Sequence, residues 1–279
     1  MSDDLLDTRS PDRIRHHYEV ERELAARLRA SNREERTVLF QSLYDELFRR
    51  VPDHPRLTRR ESPEELQRKV AAALRLLKPH LGPDKTLVEF APGDGALADA
   101  AAAYCQRVIG IDISDQRANP AQSPSNVEVM VYDGYHCSLP DACADVAFSC
   151  MFLEHLHPDD LQPHFQLALR LLKPGGVYVA WTPHRFAGPH DVSRHFGDSL
   201  DCFHFQEWTV AGLIKEMRKS GFERFWIYRG GKMWKNPVMN GLELLAERIW
   251  GCMPAFLRKP ISARCFRAVI VAAEKKVRV

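Results

Sequence analysis

The chain has 279 residues, of which 45% are hydrophobic and 27% charged, and its formal net charge at pH 7 is +2. This composition excludes a disordered chain and is typical of a soluble globular protein with one sizeable core. No apolar run approaches the roughly 18 residues that cross a bilayer, and the acidic N-terminus differs from a secretory signal, so we expect a cytoplasmic protein.

Cysteine usage and charge distribution exclude further classes. The seven cysteines are odd in number and never spaced as CxxC, which predicts neither a disulfide framework nor a zinc cluster. Residues 86–221 carry 17 acidic and 9 basic residues, whereas residues 222–279 carry 12 basic and 4 acidic ones. The acidic middle is a poor surface for nucleic acid, so we expect no nucleic-acid partner.

Residues 1–80 show the periodicity of helices. The first helix has an apolar majority on one face, and Ser31-Asn32-Arg33-Glu34 has the form of a capping box that begins a second helix. Ser62-Pro63-Glu64-Glu65 begins another, with a hydroxyl at the N-cap and Pro at the first helical position. We therefore predict a helical N-terminal extension over residues 1–80, with Tyr18, Tyr44 and Phe48 as aromatic residues of a lid.

Strands and helices alternate from Leu87 onward, which predicts an α/β fold with a doubly wound, mostly parallel, seven-stranded sheet and helices on both faces. The strands are expected near residues 86–91, 107–112, 127–132, 145–150, 175–181, 222–228 and 265–273. The helices between them are expected near residues 95–104, 158–171 and 207–220.

Two long segments interrupt this alternation. Residues 183–206 are rich in His, Asp, Gly and Pro, and residues 233–262 form an apolar and basic helical insert before the last strand. Loops of such length in a compact domain are usually functional. We predict that a domain over residues 81–279 uses the first segment as a substrate loop and the second as a helical cover.

The most informative stretch is the apolar run that ends in Glu89-Phe90-Ala91-Pro92-Gly93-Asp94-Gly95. A strand, a tight turn and an Ala-rich helix, in that order, are where α/β sheets bind nucleotides. A second apolar run, Val108-Ile109-Gly110-Ile111-Asp112, ends in a carboxylate placed to accept hydrogen bonds from ribose hydroxyls. Together the two runs predict a nucleotide-type cofactor site.

These runs and three later motifs resemble those of class I S-adenosylmethionine-dependent methyltransferases. The later motifs are Tyr132-Asp133-Gly134, Met151-Phe152-Leu153-Glu154-His155 and Leu172-Lys173-Pro174-Gly175-Gly176. The resemblance covers about residues 85–230. It implies a Rossmann-like fold, S-adenosyl-L-methionine as the cofactor and methyl transfer as the reaction.

The resemblance also implies where the cofactor binds. Gly93 and Gly95 let the backbone approach its methionyl end, and Asp112 holds the ribose. Asp133 is expected to accept a hydrogen bond from the adenine amino group, with a turn-forming Asp-Gly pair as the alternative. The implied set is completed by Glu89, Ala91, Pro92, Ile113, Gly134, Met151 and His155.

Histidine is the side chain best suited to remove a proton from a hydroxyl near neutral pH. The segment 182–196 follows the fifth predicted strand and offers His190 beside Asp191 as the first candidate for a base. His184 and His195 are alternatives, as is His204, and for each histidine a hydrogen-bonded loop position is the competing interpretation. Their spacings match no common zinc pattern, so we predict no metal site.

A polar loop of this composition suits a hydroxylated small molecule, so we expect O-methylation of a sugar, glycolipid or other small polar metabolite. Ala91 stands where the family usually has glycine, which leaves a non-catalytic partner subunit of the same fold as an alternative. An N-methyltransferase and an NAD-dependent oxidoreductase are further alternatives. Basic residues beside Trp and Leu in residues 233–262 also suit peripheral membrane contact, and the oligomeric state stays open.

Overall fold

The computed structural model describes residues 7–58, 62–117 and 119–277. The chain begins with four helices: α1 (Pro11–Ala30), α2 (Arg33–Arg50), α3 (Pro55–Thr58) and α4 (Pro63–Leu77). Within the described ranges, no helix is both long and apolar enough to cross a bilayer.

Capping boxes begin two of these helices. At α4 the Ser62 side chain accepts from the Glu65 N–H while the Glu65 carboxylate accepts from the Ser62 N–H, as predicted. The box of α2 lies one residue later than predicted, because Asn32 and Glu35 form it. The Ser31 hydroxyl instead donates to a carbonyl at the end of α1. Either Ser31 or Asn32 could serve as the N-cap of α2. Because the Ser31 hydroxyl is used at the end of α1, Asn32 takes that position.

An eight-stranded sheet follows, in the order β3-β2-β1-β4-β5-β8-β6-β7. Strands β1 to β5 are parallel, and β8 lies antiparallel between β5 and β6. The predicted fold class is therefore confirmed. The strands are β1 (Gly82–Phe90), β2 (Cys105–Asp112), β3 (Val127–Val131), β4 (Ala144–Cys150), β5 (Leu172–Pro183), β6 (Phe222–Arg229), β7 (Lys232–Trp234) and β8 (Ala268–Lys275).

The strand beyond the predicted seven is β7, which pairs with β6 through a turn at Gly230 and Gly231. Three residues are too few to show a strand period, so the sequence pattern missed it. The last strand begins at Ala268, three residues later than predicted, because the preceding helix continues to Cys265.

Five helices lie between and beyond the strands: α5 (Ala96–Ala101), α6 (Leu161–Leu171), α7 (Val210–Ser220), α8 (Pro237–Gly251) and α9 (Ala255–Cys265). The first three confirm the predicted positions, although each is shorter than expected. Short 3₁₀ turns at residues 102–104 and 158–160 take the place of one helical turn.

Apolar side chains cover both faces of the sheet. Helices α6 and α7 cover one face, with Phe165 and Leu213 fully buried. Helices α4 and α5 cover the other, where Leu76 and Leu77 pack with Leu87. Each fully buried Leu contributes about 1.5–3 kcal/mol. Helix α4, which precedes the domain boundary predicted after residue 80, thus packs in the core of the sheet.

Helices α1 and α2 form a smaller core with the predicted substrate loop. Leu24 and Leu47 are buried there against Phe203 and Phe205 of the loop. The Arg29 guanidinium also donates to three loop carbonyls, at 2.6–3.1 Å. The loop is therefore held by the N-terminal helices as well as by the sheet.

Candidate active site

The turn after β1 is shaped by three residues with positive φ: Ala91 (54°), Gly93 (57°) and Gly95 (78°). A Cβ placed on Gly93 would meet no atom within 4 Å, so the space beside it is open to a ligand. Behind the turn, a Cβ on Gly110 would lie 2.9 Å from Pro92, so glycine is required there. Alanine at position 91 costs about 1–2 kcal/mol in this conformation, which the turn tolerates.

Two carboxylates lie at the carboxyl ends of the strands beside this turn. Glu89 is 4% exposed, and its Oε2 has no hydrogen-bond partner in the described part of the chain. Burial, together with the charges of Asp94 and Asp112, raises the pKa of Glu89 to about 8. Asp112 is also buried, which raises its pKa, and its Oδ1 accepts from the N–H groups of Ile113 (2.7 Å) and Ser114 (3.3 Å). An unpaired buried carboxylate fits a ligand that brings positive charge.

We expect the free energy of unfolding of the ligand-free protein to depend on the ionisation of Glu89. Because burial raises its pKa from 4.5 to about 8, its contribution is complete below pH 4.5 and is lost as the pH rises to about 8. Glu89→Gln removes this dependence. In thermal melts between pH 5 and 8, the melting temperature of the variant should rise relative to that of the native protein as the pH rises.

The comparison across pH separates ionisation from the constant cost of burying an amide. Asp115→Asn, at an exposed position whose charge does not contribute to the raised pKa of Glu89, is the control. A constant difference in melting temperature between Glu89→Gln and native protein would contradict the raised pKa.

Asp133 directs its carboxylate into its own turn. It accepts from the N–H groups of Tyr135 (2.8 Å) and His136 (2.6 Å) and from the His136 ring. Against burial, which alone would raise it, these hydrogen bonds lower the pKa of Asp133 to about 2. This geometry favours the turn-forming interpretation of Asp133, while its predicted contact with adenine stays a prediction.

Gly134 lies in a small apolar slot. A Cβ on this residue would lie 3.5 Å from the Phe40 ring and 4.0 Å from Ile113. Helix α2 thus brings Phe40 against the residues at which the sequence predicts the adenine. A flat ring can pack between such groups.

Met151 and His155 follow β4, next to β1 and therefore at the point where the strand order reverses. Met151 has φ of 52°, and its N–H donates to the Trp181 carbonyl at 2.8 Å. His155 donates from Nδ1 to the Phe203 carbonyl at 3.1 Å. Burial, aided by the charge of His204, lowers the pKa of His155 to about 3, so its ring is neutral. Crevices at such reversal points are where open α/β sheets bind ligands.

Residues 88–180, which contain the turn and both carboxylates, match a family model described as a methyltransferase domain. A protein of Mycolicibacterium smegmatis, named a probable S-adenosylmethionine-dependent methyltransferase, is 30% identical over 140 residues. The matched region is therefore similar to an S-adenosylmethionine-dependent methyltransferase domain. The alignment spans 50% of this chain and 52% of that relative, so the chain covers about half the length of this relative.

Solved structures share the fold of the methyltransferase domain. One comes from the complex of the Haloferax volcanii Trm112 methyltransferase activator with a methyltransferase, at 14% identity and TM-score 0.54, covering 77% of this chain and 93% of that one. Another is the YcgJ protein of Bacillus subtilis, at 12% identity and TM-score 0.50, covering 75% and 99%. The antiparallel β8 also separates this sheet from the parallel order 3-2-1-4-5-6 of dinucleotide-binding dehydrogenases.

His184 lies at the end of β5 and is 0% exposed. Its Nδ1 accepts from the Phe186 N–H at 3.1 Å, so Nε2 carries the proton and donates to Glu247 at 2.9 Å. Burial lowers the pKa of His184 despite this carboxylate. Both ring nitrogens are committed, which contradicts the prediction of His184 as a base of the methyltransferase domain.

His190 lies beside the carboxylate of Glu207. The ring Nδ1 of His190 is 3.1 Å from Glu207 Oε2, and the backbone N–H of His190 donates to Glu207 Oε1 at 2.7 Å. The same Oε1 accepts from His204 Nδ1 at 2.9 Å. Against burial, these histidines lower the pKa of Glu207 to about 2. Glu207 therefore orients both rings as a carboxylate.

Asp191 has a different task from the one predicted. Its Oδ1 accepts from the Ser193 N–H at 3.0 Å and its Oδ2 from the His204 N–H at 3.1 Å. Asp191 thus caps a 3₁₀ turn and shapes the loop. His190 and Asp191 are both candidates from the sequence, and in the structure their side chains have different partners.

A cavity of about 310 Å³ lies between the N-terminal helices and the loop of the methyltransferase domain. Its wall includes the half-buried Asp191 and the largely exposed His195. Partial desolvation of the His195 ring, together with the charge of Arg194, lowers the pKa of His195. The lining histidines are His17, His54, His155, His190, His195 and His204. Four of the five histidines that the sequence predicts for the site therefore line the cavity, and His184 lies apart from it.

Sequence reasoning missed two residues of this region. Glu207 was detectable, because it follows His204 by three residues and buried carboxylates commonly orient histidine. Phe40 carried no signal, since its contact with Gly134 depends on how α2 packs across the methyltransferase domain.

Proposed function

We propose that the protein transfers the methyl group of S-adenosylmethionine to a hydroxyl of a small polar acceptor bound in the histidine-lined cavity. The observation that carries the proposal is the continuity of the two regions: His155 lines the cavity and also follows β4 at the strand reversal. A cofactor bound at the turn would therefore meet an acceptor in the cavity.

The residues at the turn suit this cofactor. The unpaired Glu89 carboxylate fits its ammonium group, and the open space beside Gly93 fits its methionyl end. Asp112 is held by backbone N–H groups with its carboxylate at the strand end, where ribose hydroxyls can donate to it. The cofactor supplies a methyl group on a positively charged sulfur. The protein aligns the acceptor and excludes water.

His190 is the residue best placed to take the proton of the acceptor. Its Nδ1 lies 3.1 Å from Glu207 Oε2 without forming a hydrogen bond in the described part of the chain, and the neutral ring can take up the proton at Nε2. The ionised Glu207 carboxylate then stabilises the imidazolium that forms on proton transfer. Glu207 acts through His190 and is a positioning residue.

Titration calorimetry and an acceptor screen test this function. The purified protein should bind S-adenosylmethionine and S-adenosylhomocysteine, and labelled methyl groups should reach saccharides or small phenols. Transfer to amines or nucleic acid alone would contradict the proposed acceptor. Binding of neither cofactor by the folded protein would favour a non-catalytic partner subunit, and binding of NAD in their place would favour an oxidoreductase.

Helices α8 and α9 suit contact with an anionic lipid surface, as a glycolipid acceptor requires. Exposed apolar side chains project from both helices, including Ile249 and, at 75% exposed, Phe256. Basic residues interleave with them, such as Arg248 and Arg264. Apolar side chains beside basic ones bind membrane surfaces in this way.

We expect the protein to sediment with phosphatidylglycerol vesicles at low salt, and Phe256→Ser with Ile249→Ser to reduce the bound fraction severalfold. Val38→Ser, at an exposed apolar position of α2, is the matched control. Absence of sedimentation, or equal sedimentation of both variants, would contradict the lipid surface.

A further inference from the structure

Two histidines of the cavity wall and a fully buried glutamate beside them are arranged as metal ligands. Glu154 and His155 follow β4, and His204 lies on the substrate loop. One ligand atom from each residue lies within 4.8 Å of the others. We propose that Glu154, His155 and His204 bind a divalent transition-metal ion, with Zn²⁺ as the representative.

In both histidines the tautomer leaves the Nε2 nitrogen available to a metal ion. His155 donates from Nδ1 to the Phe203 carbonyl, and His204 donates from Nδ1 to Glu207. In the described part of the chain neither Nε2 has a hydrogen-bond partner. Histidine ligands of metals characteristically donate their other N–H to a carbonyl or a carboxylate, and here one histidine does each.

Glu154 supplies the third ligand. It is 0% exposed, and its Oε2 accepts from the Thr182 hydroxyl at 2.9 Å. Its Oε1 is buried without a hydrogen-bond partner among the described residues. A buried carboxylate oxygen without a donor is costly, and a bound cation removes that cost.

A second cluster in the same cavity shows why these three residues are preferred. His17, Glu21 and His54 also lie within reach of one another. However, His17 accepts from Arg9 at Nδ1 and donates from Nε2 to Glu21 at 2.7 Å. The other Glu21 oxygen accepts from the Phe203 N–H at 3.1 Å. These atoms already serve as internal hydrogen-bond partners, whereas the three proposed ligand atoms do not.

Two histidines and one glutamate are a ligand set of catalytic zinc sites and of other first-row metals, whereas Mg²⁺ and Ca²⁺ prefer oxygen alone. Around a tetrahedral ion with bonds of about 2.0–2.1 Å, ligand atoms lie about 3.4 Å apart. The half-buried His155 must therefore move inward slightly. Metal binding itself does not depend on the proposed methyl transfer.

The test uses the full chain without a polyhistidine tag, stripped with a chelator and titrated with Zn²⁺. We expect one ion per chain. His204→Ala and Glu154→Gln should each weaken Zn²⁺ binding by at least about 100-fold, and Glu207→Gln by about 10- to 100-fold, because it orients His204. His54→Ala is the matched control from the second cluster and should bind as the native protein does.

Thermal melts establish that each variant is folded. If a variant of the proposed site does not fold, Co²⁺ is added to the native chain and to His54→Ala, since a His₂Glu site gives visible absorption that stoichiometric Zn²⁺ abolishes. Equal absorption in both proteins assigns the ion to Glu154, His155 and His204, and loss of the absorption in His54→Ala assigns it to the second cluster. Failure of the native chain to bind Zn²⁺ stoichiometrically would overturn the proposal. So would loss of binding in His54→Ala with retention in His204→Ala, which would assign the ion to the second cluster.

Discussion

Asp112→Ala should weaken binding of S-adenosylmethionine by more than a hundredfold. The carboxylate lies at the end of β2 and is held in place by the N–H groups of Ile113 and Ser114. Hydrogen bonds to a charged group contribute about 1.5–3 kcal/mol each, so losing two from the ribose costs about 3 kcal/mol or more. Titration calorimetry on native and variant protein measures the effect.

Two further substitutions make the result specific. Asp115→Ala removes an exposed carboxylate three residues later, which pairs with Arg117, and should leave the affinity unchanged. Asp133→Ala should weaken binding less than Asp112→Ala, because the Asp133 oxygens are occupied by their own turn. Equal affinities of Asp112→Ala and native protein would show that the ribose lies elsewhere.

Glu247→Ala should destabilise the folded protein strongly. Glu247 is 2% exposed and accepts from His184 Nε2 at 2.9 Å. It also accepts from the N–H groups of Val210 (2.5 Å) and Ala211 (2.8 Å), which begin α7. Removing the carboxylate leaves two buried donors, His184 Nε2 and the Val210 N–H, without an acceptor, at about 1–3 kcal/mol each or about 3–5 kcal/mol together. For a chain of this size we expect the melting temperature to fall by about 6–20 °C.

Arg248→Ala is the control for this effect, since Arg248 is the exposed neighbour on the same helix. Its melting temperature should stay within about 1–2 °C of the native value, as for most surface substitutions. A fall of similar size in both variants would assign the loss to α8 itself and not to its contact with α7.

The sheet was predictable because its pattern is local. Each of β1, β2 and β4 is an apolar run bounded by turn residues. The turn after β1 was predictable because Gly93 and Gly95 adopt positive φ, which glycine does far more readily than other residues. The three-residue β7 was not predictable, because it exists only by pairing with β6. The role of α4 in the core likewise depends on packing against α5, which no local pattern states.

The cofactor side of the site was more predictable than the acceptor side. Glu89 and Asp112 lie where strands end, so their position follows from the fold. The partners of His184 and His190 follow from how distant segments meet: Glu247 comes from α8, and Glu207 comes from the far end of the loop. Adjacency in sequence favoured Asp191 for His190, but the backbone of the loop uses that carboxylate instead.

The attachment of the loop to α1 and α2 bears on how acceptor preference is inherited and exchanged. Phe203 and Phe205 complete the small core of these helices, and Arg29 holds three loop carbonyls. A chimera that receives residues 183–206 from a relative, but keeps its own first fifty residues, would bring a loop without its matching support. Transplanting both segments together should destabilise the fold less than transplanting the loop alone, because the contacts between loop and helices are kept. We therefore expect acceptor preference in such proteins to co-vary with the N-terminal helices.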